Sequence, residues 1–199
     1  MVYIQKTPYT TAASSLINVL AHVKKDYSPS EEDEFKIWME SANLPIRASS
    51  IFGLALAAKK RSLKPEVYVE SEEYDFPDYR FYRYKKEDVE LAKKSSEIYK
   101  KKAKKENINT VTTQINIDLI KELLRKNYLL VRINVKDLRN LKSNSSNYLM
   151  FKNYENKEFT IIDPIQGEIK VKEDTIVSCL ESLEKKKHRS RKLISIMKN

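Results

Sequence analysis

The chain has 199 residues and a formal net charge of +10, with 41% apolar residues, one Cys, two His and two Gly. A length of this order suits one domain with a substantial core, and apolar residues spread along the whole chain mark it as globular. Two glycines, where about 14 would be average, exclude a glycine-rich phosphate loop; one cysteine excludes an internal disulfide, and no Cys/His cluster has metal-ligand spacing.

Thr11 to Lys25 reads as a helix, with Leu16, Val19, Leu20 and Val23 repeating at three and four residues. Ser30 caps a second helix, Glu31 to Ala42, whose first turn is acidic and whose expected apolar face is Phe35, Trp38, Met39 and Ala42. A third helix, about Ser49 to Arg61, carries the run Gly53-Leu54-Ala55-Leu56-Ala57-Ala58, which only close packing explains. Glu66 to Glu70 alternates as a strand. A tyrosine-rich stretch, Tyr74 to Tyr84, leads into a lysine-rich helix from about Lys86 to Lys105. Asn116 to Lys126 is a further amphipathic helix. Tyr128 to Val135 reads as a central strand, and Tyr148 to Tyr154 with Phe159 to Asp163 as a hairpin around Glu155-Asn156-Lys157. A short strand, Glu168 to Val171, and a helix from about Glu173 to Lys186 close the domain. Helices first and an antiparallel sheet after them give an α+β expectation: a single domain over 1–186 and a basic tail over 187–199.

The segment from Gln5 to Leu16, with Gln six residues before Thr11, resembles the start of the bacteriocin-processing (double-glycine leader) peptidases of the papain-like cysteine peptidase clan. Glu34-Phe35-Lys36-Ile37-Trp38, then Phe52 to Ala58, then Val67-Tyr68-Val69 resemble one branch of peptidase-like proteins. Asn147 to Asp163 resembles the stretch that carries the family's base and its orienting carboxylate. The resemblance spans roughly residues 1 to 175 and implies a papain-like fold, with N-terminal helices packed on a C-terminal antiparallel sheet. Carried over by position, Gln5 matches the oxyanion residue, Thr11 the nucleophilic Cys, Asn147 the His and Asp163 the orienter.

Papain-like chemistry needs a thiolate at a helix N-terminus, its pKa lowered by the dipole and an imidazole that relays the proton. Asn147 is no base near neutral pH, and the Thr11 hydroxyl is far less acidic than a thiol. The Gly-Pro that follows the nucleophile in the family is Ala12-Ala13 here. The resemblance therefore implies a degenerate, non-catalytic site. Cys179, between apolar neighbours on the closing helix, reads as a small core residue, and His22 as structural or surface-exposed rather than a relocated base.

The remaining signal is basic. Lys100, Lys101, Lys102, Lys104 and Lys105, and Lys185, Lys186, Lys187, Arg189 and Arg191, are candidate polyanion contacts if they share a face, although charge runs are more often solvated helix faces. Aromatics between Tyr74 and Tyr84 interleave with Arg80 and Arg83 in the manner of single-stranded nucleic-acid surfaces, or cover the core. The leading expectation is a catalytically inactive peptidase-like domain that binds a peptide or protein. A basic nucleic-acid or nucleoprotein accessory is the alternative, and a residual hydrolase using Thr11 a third. No cofactor or metal is expected. No apolar run approaches the roughly 18 residues that span a bilayer, and Met1 to Ser15 lacks a signal-peptide pattern, so the expected location is cytoplasmic without membrane insertion.

Overall fold

A computed structural model describes residues 2–75 and 84–198. The N-terminal half supplies α1 (Thr11–Val23), α2 (Glu31–Ser41), the two-residue strands β1 (Ala42–Asn43) and β2 (Ala48–Ser49), α3 (Ile51–Lys60), β3 (Pro65–Val69) and α4 (Lys86–Lys105). There follow β4 (Thr110–Thr112), α5 (Ile117–Leu124), β5 (Asn127–Asn134), β6 (Ser146–Glu155), β7 (Glu158–Asp163), β8 (Gly167–Lys172), α6 (Glu173–Lys187) and β9 (Lys192–Met197). Seven strands form one sheet in the order β4-β3-β9-β5-β6-β7-β8. All its pairings are antiparallel except β3 with β4, which α4 connects as a parallel crossover.

Strand alternation divides the apolar residues between two cores, one on each face of the sheet. Val67, Val69, Leu130, Met150, Ile162, Ile194 and Ile196 face α1, α3 and Ala103 of α4. Tyr68, Leu129, Val131, Leu149, Phe151, Ile161 and Leu193 face α5 and α6. The α+β expectation holds, with helices covering both faces of a mainly antiparallel sheet.

Two local expectations need correction. Residues 192–197, read as part of a basic tail, form β9 in the middle of the sheet, hydrogen-bonded to β3 on one side and β5 on the other. Leu193 enters one core while Ile194 and Ile196 enter the other, so both faces of this short strand are buried. The buried side of α2 is Glu34, Ile37 and Ser41, whereas Met39 is 62% exposed. A carboxylate lies on that inner face because hydrogen bonds from the N-terminal segment draw it in. The interleaved aromatic and basic residues 76–83 lie outside the described residues.

The Ala-rich run of α3 does serve close packing. A Cβ on Gly53 would stand 2.8 Å from Cα and 2.9 Å from the carbonyl O of Ser41, which are backbone atoms that cannot swing aside. Gly53→Ala should therefore lower stability by about 1–3 kcal/mol, despite a helix-propensity gain of about 1 kcal/mol. The check is a urea midpoint; an unchanged or raised midpoint would show that the gap between α2 and α3 widens freely.

Candidate functional site

The N-terminus of α1 is the natural starting point, because the expected nucleophile position falls there. Thr11 is its first residue and only 3% exposed. Thr10 occupies the N-cap without capping the helix through its side chain. Its hydroxyl instead bonds the Thr7 carbonyl at 3.0 Å and the buried Glu34 carboxylate. Glu34 also accepts from the Tyr3 hydroxyl at 2.7 Å and from the Lys6 amide at 3.0 and 3.1 Å. One carboxylate thus clamps the segment that leads into α1. The Thr10 side chain thus leaves the first turn uncapped, and the positive dipole end of α1 lies at this site.

Gln5 and Asp163 are brought together through the backbone: the Gln5 amide donates to the Pro164 carbonyl at 2.9 Å. The Gln5 side chain turns back, its Nε2 donating to the Thr7 carbonyl at 2.8 Å, while its Oε1 is buried without a partner. Asp163 is fully buried, its two oxygens taken by Arg139 Nε at 2.7 Å and the other guanidinium arm at 2.8 Å. The Ile165 amide adds a third bond at 2.8 Å. Asn147 donates to Ser145 Oγ at 3.2 Å rather than to Asp163. By register it pairs with Ile133 and shares the strand parity of Leu149, whereas Ser146 and Tyr148 share that of Arg132 and Met150, on the α1 side.

Between α1 and the sheet lies a cavity of about 70 Å³, lined by Tyr9, Ala12, Ala48 and Ser49 on the helical side. Ser146, Asn147 and Tyr148 of β6, Arg132 of β5 and Arg189 line the other. Larger depressions of about 790 Å³ occur between α3 and α4, around Leu56 and Tyr99, and beside α5. Neither gathers buried polar groups, so the small cavity is the better candidate site.

Its floor is charged. The Arg132 side chain, 5% exposed, makes a two-pronged pair with Asp75 and bonds the Ser190 carbonyl. Asp75 also accepts from the Ser190 amide and hydroxyl, both at 2.9 Å, and lies 3.9 Å from Lys192 Nζ. Burial alone would raise the Asp75 carboxyl, but Arg132, Arg189 and Lys192 outweigh it and hold the group well below the ordinary carboxylate range. Burial pushes the Lys192 ammonium down to about 8, Arg132 and Arg189 adding to the effect while Asp75 opposes it. Burial, with Arg132 beside it, brings Arg189 down to about 10. Sequence reasoning passed over this cluster, although one signal was visible: an arginine inside the apolar run Tyr128 to Val135.

The other titratable candidates lie elsewhere. Cys179 is buried on α6, in the core on the far face of the sheet from α1, and burial pushes its thiol up to about 12. His22 sits in the last turn of α1, its Nδ1 2.8 Å from the Asn18 carbonyl and its ring edge-on to Tyr128. His188 is the C-cap of α6. The lysines of α4 and those of α6 project from helices on opposite faces of the sheet. Lys100 pairs with Glu72, Lys185 with Glu181, and Arg191 with Glu184 and Glu70. Among the described residues no group of three His, Cys, Asp or Glu could hold a metal ion, and no helix is long and apolar enough to cross a membrane.

Comparison with known proteins places this geometry. A family model described as "Peptidase_C39 like family" matches residues 1–185. The structure is similar to that of a double-glycine-motif protease from an AMS/PCAT transporter in complex with the leader peptide. The two share 13% identity and a TM-score of 0.50, over 100% of this chain and 91% of that one. It is also similar to a C39-like peptidase from Bacillus anthracis, at 11% identity and a TM-score of 0.51, over 99% of this chain and 94% of that one. No curated protein sequence matches the chain. Identities this low carry the fold.

Proposed function

The chain belongs to the peptidase C39-like family, and from that premise we propose that it is a member without peptidase chemistry, whose cleft binds a peptide or protein. One observation carries the reading: α1 opens on Thr11, a hydroxyl where the resemblance would put a thiol. The only cysteine, Cys179, is held protonated in the core on the opposite face of the sheet, and His22 lies in the last turn of α1. A threonine hydroxyl with no base beside it remains a poor nucleophile. The neighbouring groups support the same conclusion. Gln5 Nε2 is spent on its own loop, and the Asp163 carboxylate is spent on Arg139, so neither is set up to hold an oxyanion or to orient a ring.

Binding is favoured by what surrounds the cleft. Tyr9, 52% exposed, stacks on Trp38 at 6.4 Å, and Phe35 meets Trp38 edge-on at 6.1 Å. The Arg47 guanidinium lies 4.5 Å over the Tyr9 ring, and Trp38 Nε1 donates to the Arg47 carbonyl, so this aromatic ledge is held in place. Rigid aromatics beside a polar recess suit a peptide. The transporter protease of similar fold was solved with its leader peptide, which is the precedent for a peptide here. The two lysine-rich helices sit on opposite faces of the sheet, which favours the cleft over a single polyanion surface.

The test uses a degenerate mixture of short peptides. Mass spectrometry should find no cleavage products above those of a blank. Immobilised protein should retain part of the mixture, and Ala48→Trp, at the rim of the cavity, should abolish that retention. Cleavage that disappears in Thr11→Ala would overturn the inactive reading, and retention unaffected by Ala48→Trp would move the binding site away from the cleft.

A further inference from the structure

We propose that the outer flank of α4, with the depression between α3 and α4, is a docking surface for an anionic lipid bilayer. The inference goes beyond the peptide-binding reading and does not use the cleft.

Charge is the first ground. α4 carries eight lysines against four acids, and its last eight residues, 98–105, hold five lysines and no acid. The acids of its first turn, Glu87 and Asp88, lie about 20 Å along the helix axis from Lys101. Among the described residues Lys100 alone of the eight lysines stands in an ion pair, with Glu72. Residues 76–83, which lead toward the helix, hold one acid, Asp78, against two arginines, Arg80 and Arg83, so they leave the sign unchanged. A lysine-rich helix end of this kind is drawn to a negatively charged membrane surface within a Debye length of it.

Two exposed aliphatic side chains decide for lipid. Leu91, Ile98 and Lys105 recur every seven residues and so share one flank of α4, with Lys94, Lys101 and Lys102 three or four residues from the aliphatic pair. Leu91 and Ile98 are 52% and 54% exposed, whereas Ala92 and Ala103 bury the inner flank. Nucleic acid would engage the lysines and leave both aliphatic tips in water. A bilayer takes both: the tips enter the boundary between headgroups and acyl chains, and the ammonium groups meet lipid phosphates. The depression of about 790 Å³ beside α3 repeats the pattern. Leu56, Ala57 and Tyr99 supply its apolar lining, and the Tyr99 hydroxyl donates to the Ala42 carbonyl at 3.2 Å, which holds the ring in place. Lys102 and Lys105 line it too, while its two carboxylates, Glu40 and Glu106, are already paired with Lys60 and Lys59 of α3. An apolar lining edged by ammonium groups is the complement of an anionic amphiphile.

The experiment measures co-sedimentation of the full chain with two kinds of vesicle, one of phosphatidylcholine alone and one of equal parts phosphatidylcholine and phosphatidylglycerol. Partition onto the anionic vesicles should be at least about tenfold stronger and should weaken with added salt. The double variant Leu91→Ser with Ile98→Ser keeps every charge and should lose at least about tenfold of that partition. The triple variant Lys101→Gln, Lys102→Gln, Lys105→Gln should lose at least as much. All five positions are exposed, so neither variant threatens the fold. Ala48→Trp, in the cleft, should bind vesicles as the wild type does. Equal partition onto both kinds of vesicle would overturn the proposal, as would anionic partition that ignores the two serine substitutions. A single-stranded oligonucleotide that displaces the vesicles, and whose own binding falls only in the lysine variant, would assign the flank to nucleic acid and overturn it as well. Loss of vesicle binding in Ala48→Trp would move the contact to the cleft, overturning the α4 surface while leaving the peptide reading standing.

Discussion

Asp75→Asn should cost the protein about 3–5 kcal/mol of stability, the usual consequence of removing one partner from a buried ion pair. Arg132 would keep its bonds to Ser190 but lose the carboxylate it pairs with, with Arg189 and Lys192 alongside. The effect has a pH signature with two limbs. Asp75 is held below its ordinary 3.8, so its contribution is present above pH 3.8 and is lost as pH falls further; the Asn variant should lack that acid limb. Lys192 is held near 8 against an ordinary 10.5, so between these values the unfolded chain binds the extra proton. Stability of the wild type should therefore rise with pH from about 8 toward 10.5 by this group. Adding Lys192→Met to Asp75→Asn removes one stranded cation and should recover part of the loss. Denaturant titrations at pH 3, 7 and 9 read all three expectations. A loss under about 1 kcal/mol at pH 7 would mean that water already screens the cluster.

Glu34→Gln should be almost as severe, at about 3 kcal/mol, because three donors converge on a fully buried carboxylate. Gln retains one acceptor oxygen but turns the other into an amide NH2 donor that faces the Tyr3 hydroxyl or the Lys6 amide. The damage should be local in character. The Lys6 amide should lose its protection from hydrogen exchange, and the segment that carries Gln5, Tyr9 and Thr10 should loosen from α2. Peptide retention by the cleft should fall with it, since Tyr9 belongs to the aromatic ledge. An unchanged exchange rate at Lys6 alongside global destabilisation would show that Glu34 supports the core and not the N-terminal clamp.

Periodicity located the helices and the β5–β8 ladder to within a few residues, since their apolar positions repeat at the helix or strand spacing. The family was legible in ordered short motifs, from Gln5 through the Gly53 run to Asp163-Pro164. What escaped depends on partners distant along the chain. Arg132 meets Asp75 across 57 residues and Asp75 meets Ser190 across 115. No local pattern announces such pairs. Glu34 looked like one more acid in a helix's first turn, because its donors come from residues 3–10. β9 was hidden by its neighbours: the basic run from Lys185 to Lys192 gives the region the composition of a solvated tail, although Leu193 to Met197 is apolar enough for a central strand.

The place of β9 also governs the order in which the molecule can be made. β3 and β5 touch only through it, so during synthesis the N-terminal helices with β3 and β4, and the later ladder from β5 to β8, exist as two unfinished half-sheets. Each presents an unpaired edge, the kind of surface that invites intermolecular association. Closure requires contacts between residues near 65 and residues near 195, a span that makes folding slow by topology. The sheet therefore stays exposed to wrong partners until Met197 has left the ribosome, and one six-residue strand then joins its two halves at once.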